Sequence, residues 1–184
     1  MPLPEAALRA APLWAHWPAR MQRLEGGPLN AMLPGRTLML DGGHNPDAGK
    51  ALADALTESH LADEGIDLII GMLSNKDVAG FLKPLRPLIR SIRSLPVPGH
   101  EHHGPEVFAQ VARAWEVPHR SFTTIQEALT DVAGAATHGP DGGYALSGRA
   151  GAGRQQPAAG LRRVANRPAC WAVARTPPRS LSST

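Results

Sequence analysis

The stretch Leu38-Met39-Leu40-Asp41-Gly42-Gly43-His44-Asn45-Pro46-Asp47-Ala48-Gly49-Lys50 fixes the local architecture more tightly than any other. Three apolar residues read as a buried strand that runs into an acid, two glycines and a polar pair. Asn45 is a favoured helix N-cap and Pro46 a favoured first helical residue. Ala51, Leu52, Ala55 and Leu56 then recur at helical spacing, which predicts a helix from Pro46 to about Ser59 with one face on a sheet. Gly42 and Gly43 are expected to supply positive φ and to let a ligand approach the backbone. A strand–loop–helix of this kind aims a helix N-terminus at the carboxyl edge of a sheet, where open α/β folds hold nucleotides and other anions.

The flanking segments extend the alternation. Pro4 to Trp14 reads as a short helix ended by Pro18, and Met21–Leu24 as a strand. That strand is expected to pair with residues 37–40 as a long-looped hairpin, with Arg20 near the end carrying Asp41. Glu25-Gly26-Gly27-Pro28 reads as turn chemistry. Asp67–Met72 is a second buried strand. Ser74 and Asp77 then resemble a capping box opening a helix through Val78, Phe81 and Leu82, and Pro84 and Pro87 break or kink its continuation. A strand at 91–97, a helix at Pro105–Trp115, a short strand at 122–124 and a helix at 125–133 complete the series. Alternation of this kind predicts an α/β fold, Rossmann-like, with a mostly parallel sheet and flanking helices.

Charge and composition separate two regions. Arginines 149, 154, 162, 163, 167, 175 and 179 are the only ionisable side chains among residues 145–184 apart from Cys170. Removing those seven from the 19 lysines and arginines leaves 12 against 16 acidic residues in the first 144, a net of −4. The basic pI near 9.6 therefore belongs to the last segment. That segment has no aromatic interleaving of the kind nucleic-acid binding uses, so no nucleic-acid partner is expected. We read 1–143 as the domain and 144–184 as a disordered Arg/Ala/Gly/Pro-rich tail, too poor in apolar residues to offset its ordering entropy. The single cysteine, Cys170, excludes an internal disulfide and fits a cytoplasmic location. No apolar run approaches a membrane span, and the N-terminus does not read as a signal peptide.

Three segments in order resemble one family: Trp17-Pro-Ala-Arg-Met-Gln-Arg-Leu24, Leu40-Asp-Gly-Gly-His-Asn-Pro-Asp-Ala-Gly-Lys50 and Ile70-Gly-Met-Leu-Ser-Asn-Lys-Asp77. The chain is similar, over roughly residues 3–140, to the C-terminal domain of the bacterial bifunctional dihydrofolate synthase/folylpolyglutamate synthases, Mur-ligase-like enzymes. The resemblance implies a Mur-ligase C-terminal-type sheet. It also implies an ATP-dependent ligase that activates a dihydropteroate or folate carboxylate as an acyl phosphate and joins it to L-glutamate. ATP would lie between this domain and a P-loop domain that holds most of the Mg2+ contacts.

By the same resemblance, Arg20 would reach the ATP phosphates, Asp41 the ribose side and His44 the nucleotide or its loop. Asn45, Lys76 and Asp77 would be further residues of the site loops, while no catalytic residue and no metal ligand is assigned. Each has a plainer role open to it: Asp41 as a strand-end acid capping a turn, His44 as a loop hydrogen bonder, Lys76 as a solvated helix-start residue. His100, His102 and His103 are read as loop residues rather than a metal site. No Gly-x-x-x-x-Gly-Lys-Ser/Thr motif occurs in the 184 residues, so the chain alone is expected to lack ligase activity. The family's last core strand is also missing where it is due. Tyr144-Ala-Leu-Ser-Gly-Arg149 stands there and reads as a frame-shifted segment of a GC-rich gene. The alternative is a stand-alone Rossmann-like binding or adaptor module.

Overall fold

The computed structural model describes residues 4–6, 18–135 and 170–175. In chain order the elements are β1 (Gln22–Leu24), α1 (Gly27–Ala31), β2 (Arg36–Asp41), α2 (Pro46–Glu58), β3 (Ile66–Ile70), α3 (Val78–Leu82), a 3-10 turn (Lys83–Leu88), β4 (Ile89–Ser94), α4 (Pro105–Trp115), β5 (His119–Ser121), α5 (Ile125–Ala135) and β6 (Cys170–Arg175). Six described strands form one sheet in the order β1-β2-β6-β3-β4-β5.

Both β3–β4 and β4–β5 are parallel pairs. Because β6 is antiparallel to β2 and to β3, β2 runs in the same direction as β3. Four strands thus end at one edge of the sheet, and Asp41 and the loop bearing Ser74 both lie there. β1 pairs antiparallel with β2, placing Gln22 opposite Leu40, as the hairpin reading expects.

Side-chain alternation along the strands builds two cores. Met39, Leu68, Ile70 and Ile92 face Leu52, Leu56, Phe81, Leu82 and Phe108, contributed by α2, α3 and α4. Leu38, Leu40 and Ile69 face the opposite way, toward Leu29 of α1 and Ala128, Leu129 and Val132 of α5. The predicted helix at Pro46 is present, with Asn45 as N-cap accepting from the Ala48 N–H at 2.8 Å.

Several expectations are corrected. Ser74 does not cap α3; Asp77 does, accepting from the Gly80 N–H at 2.8 Å, because the chain turns once more after Ser74. The third strand of the parallel run begins earlier, at Ile89, and the next is His119–Ser121 rather than 122–124. Gly26-Gly27-Pro28 leads into a one-turn helix, with proline at its start. Gly42 and Gly43 do not adopt positive φ; closeness to neighbours requires them instead.

The largest departure is β6. No strand is predicted in 144–184, yet Cys170–Arg175 fills the centre of the sheet, with Val173 opposite Leu38 on one side and Asp67 on the other. Five of its six residues are apolar, the pattern of a strand enclosed by neighbours, but arginine-weighted composition hides so short a run. Residues 7–17, with the predicted helix and Trp14 and Trp17, and the remainder of the basic tail lie outside the described residues.

Beneath α5 the sheet carries a buried polar cluster. Asp67 on β3 meets Arg93 at 3.2 Å and Arg36 at 3.6 Å, all three side chains at most 8% exposed. Arg90 and Ser91 also donate to Asp67. Arg93 continues to Asp131 of α5 at 2.8 Å. Burial alone would raise the Asp67 pKa, but hydrogen bonds from Ser91 and Arg90 and the charges of Arg90 and Arg93 outweigh it and hold the carboxyl below its ordinary 3.8.

Candidate functional site

A cleft of about 350 Å³ opens where β2 ends, lined by Arg20, Met21, Asp41, Gly42, Gly43, His44, Asn45, Ala48, Ala51 and Leu52. Its size is at the lower end for small-molecule sites. Arg20, Asp41, His44 and Asn45 form its polar side, and Met21, Ala48, Ala51 and Leu52 give an apolar wall.

Asp41 organises the cleft. It is buried at the last position of β2, and its Oδ2 accepts the Met21 N–H at 2.8 Å while Oδ1 accepts the Gly43 N–H at 2.7 Å. The strand-end acid therefore caps the loop on one side and ties down the entry to β1 on the other. Each oxygen keeps a further lone pair for a ligand hydroxyl.

Arg20 is displayed by an unusual backbone. Ala19 and Met21, on either side of it, have φ of 58° and 42°, a region that non-glycine residues seldom occupy. The Gly42 N–H donates to the Ala19 carbonyl at 2.9 Å and holds this turn against the end of β2. The exposed Arg20 guanidinium lies over Gly42, where a Cβ would come within 2.9 Å of Nη1, and Nη1 donates to the Ala19 carbonyl at 3.1 Å. Left-handed alanine and methionine leave no signature in a sequence pattern, so this strain is visible only in the fold.

His44 Nδ1 lies 3.1 Å from the Gly42 carbonyl. A carbonyl only accepts, so Nδ1 carries the proton and Nε2 is left as an acceptor or, when charged, a second donor. Gly43 is required by crowding: a Cβ there would stand 2.8 Å from Asp41 Oδ1 and 3.2 Å from the Phe81 ring. Asn45 is occupied as the N-cap, and Asp47 adds an acid to the first turn of α2, which opposes the helix dipole's pull on an anion.

Lys76 and Asp77 are not among the cleft-lining residues. Asp77 spends its carboxylate on capping α3. α3 packs against the start of α2, where a Cβ at Gly80 would come 2.9 Å from Pro46 Cγ. His103 Nε2 bonds the Lys76 carbonyl at 2.8 Å, and His102 Nδ1 the His100 carbonyl at 2.9 Å. No cluster of three His, Cys, Asp or Glu suited to a metal occurs among the described residues. Asp41 is the one carboxylate among the cleft-lining residues, so this chain alone offers Mg2+ a single acidic ligand there.

No model of a protein family matches the chain. Over 105 residues, 57% of its length, it is 32% identical to the folylpolyglutamate synthase of Lacticaseibacillus casei, and the match spans 22% of that protein. Folylpolyglutamate synthase of Mycobacterium tuberculosis, solved with ADP and AMPPCP, has a TM-score of 0.57 at 27% identity, over 73% of this chain and 29% of that one. The chain is similar to a part of the folylpolyglutamate synthases. The bifunctional folylpolyglutamate synthase/dihydrofolate synthase of Yersinia pestis CO92 is likewise similar, with a TM-score of 0.51 at 28% identity over 72% of this chain and 29% of that one. These likenesses accord with the Mur-ligase C-terminal-type α/β architecture. The chain thus spans about a fifth of the curated folylpolyglutamate synthase it matches. No helix among the described residues is long and apolar enough to cross a membrane.

Proposed function

We propose that this chain is the C-terminal, nucleotide-facing part of a cytoplasmic ATP-dependent ligase that joins L-glutamate to dihydropteroate or a folate. The observation that carries the reading is the convergence of Arg20, Asp41 and His44 on one cleft at the end of β2, in a chain similar to a part of the folylpolyglutamate synthases. The guanidinium of Arg20 suits phosphate oxygens, offering planar donors that never lose their charge. Asp41, held rigid by two backbone N–H groups, can accept from a ribose hydroxyl, and the wall of Met21, Ala48 and Leu52 can take an apolar ring face. ATP supplies the phosphoryl group that activates the acid. The cradle for that transfer, with most of the Mg2+ contacts, would come from a P-loop domain across the cleft.

A chain that supplies only this half of a nucleotide site should bind weakly. One or two exposed charge-assisted bonds and a helix end add little once ordering costs are met. Calorimetric titration of the isolated chain should give a Kd for ATP no tighter than about 1 mM, with no product from dihydropteroate and glutamate. Micromolar affinity, or turnover by the chain alone, would overturn the reading. The stand-alone binding module draws on a different fact, that both Asp41 oxygens already have backbone partners. It predicts that joining the chain to a P-loop domain restores no ligase activity.

A further inference from the structure

The loops after β3 and β4 are stitched together at the carboxyl edge. Leu73 and His102 form an antiparallel bridge. On either side of it the His103 N–H donates to the Met72 carbonyl at 3.0 Å and the Ser74 N–H to the Glu101 carbonyl at 3.2 Å. From the end of this ladder the His103 side chain turns back, and its Nε2 donates to the Lys76 carbonyl at 2.8 Å. The Lys76 N–H is bonded in turn to the Leu73 carbonyl at 3.0 Å.

Both main-chain polar groups of Lys76 are therefore fixed. Its half-buried side chain, by contrast, has no ion pair or hydrogen bond to its ammonium among the described residues. Asp77 is immobilised beside it as the cap of α3. With both main-chain groups of Lys76 held and its ammonium without a partner among the described residues, the lysine is placed to offer that charge to an anion.

We infer that His103 is a positioning residue that holds Lys76 for an anionic oxygen, carboxylate or phosphate, of a ligand at this edge of the sheet. The inference rests on the ligase reading above, and it adds a residue outside the three segments that carry the family resemblance. The imidazole acts through the main chain: it sets where the lysine stem begins, and the ammonium touches the ligand.

Two measurements test it. In the 184-residue chain, hydrogen exchange at the amides of residues 74–77 should speed up about tenfold in His103→Ala, the loss expected for one such bond. His103→Gln, whose side-chain amide can reach the same carbonyl, should restore most of the protection, and the exchange of β3 and β4 should stay unchanged in both. Unaltered exchange in His103→Ala would overturn the proposal.

In the chain joined to a P-loop domain, His103→Ala should raise the KM for one anionic substrate about tenfold with kcat changed far less, and His103→Gln should recover it. Whether the KM for ATP or for glutamate moves identifies the source of the anion. The effect should vanish in a Lys76→Ala background. A Lys76→Ala variant that impairs activity while the effect of His103→Ala adds to it would overturn the positioning role alone. A silent Lys76→Ala would overturn the assignment of Lys76 and the proposal with it.

Discussion

Arg20 and Asp41 share one cleft but differ in how far their polar atoms are already engaged. Asp41 has both oxygens on backbone N–H groups, so its replacement would disturb the loop before any ligand arrived. Arg20 is exposed and its hydrogen bond is to its neighbour's carbonyl, so its loss should be read in ligand binding. In the chain joined to a P-loop domain, Arg20→Ala should weaken the ATP dependence about ten- to a hundredfold, one charge-assisted bond being worth about 1.5–3 kcal/mol. Arg23→Ala should not, since Arg23 pairs with the exposed Glu25. Equal effects on the KM for ATP would show that the phosphate contact is misassigned. Asp67 offers a different test. Its folded-state pKa is depressed, so its contribution to stability is complete above the unfolded carboxyl range and is lost as pH falls through the folded value. Urea unfolding should show the chain losing stability relative to Asp67→Asn as pH drops below about 3.8. At neutral pH that substitution should cost about 3 kcal/mol, because buried guanidinium groups would then face a neutral amide.

At the scale of elements, the strand–loop–helix around Asp41 is legible in the sequence because its signals are local. Asn45, Pro46 and the apolar spacing of α2 act within a few residues of one another, and α2 forms where they place it. The Asp67 cluster is not legible, because Asp67 meets Arg90 and Arg93 across strands and Arg36 across β6. No spacing in the sequence announces such contacts. The cap of α3 fails for a subtler reason: Ser74 and Asp77 both suit an N-cap, and only the course of the loop chooses between them. Much of the cleft can be read through Arg20, Asp41 and His44, whereas the left-handed Ala19 and Met21 that present Arg20 carry no pattern. Packing also decides the sign of a substitution that propensity alone would get wrong. Alanine normally stabilises a helix over glycine by about 1 kcal/mol, but at Gly49 a Cβ would collide with the Phe81 carbonyl. Gly49→Ala should therefore destabilise by about 1–3 kcal/mol as α2 is pushed off α3. A lower melting temperature checks this, and a raised one would mean that the two helices have room to part.

At the scale of the molecule, β6 decides whether there is one sheet or two. Without it β2 and β3 would face each other across a gap, each with a row of unpaired backbone groups. A chain ending at residue 143 should lose about 5 kcal/mol or more, comparable to the whole stability of a small domain, and should self-associate. Denaturant unfolding and size-exclusion chromatography would report both. A truncated chain that melts like the full one would show that the sheet closes without this strand. The position of β6 also sets a calendar for biogenesis. Synthesis delivers the five other strands and all the described helices before the strand that belongs between β2 and β3. Until residue 175 has left the ribosome, the nascent chain carries an open seam between β2 and β3, exposed for as long as the strand that fills it is still to be made.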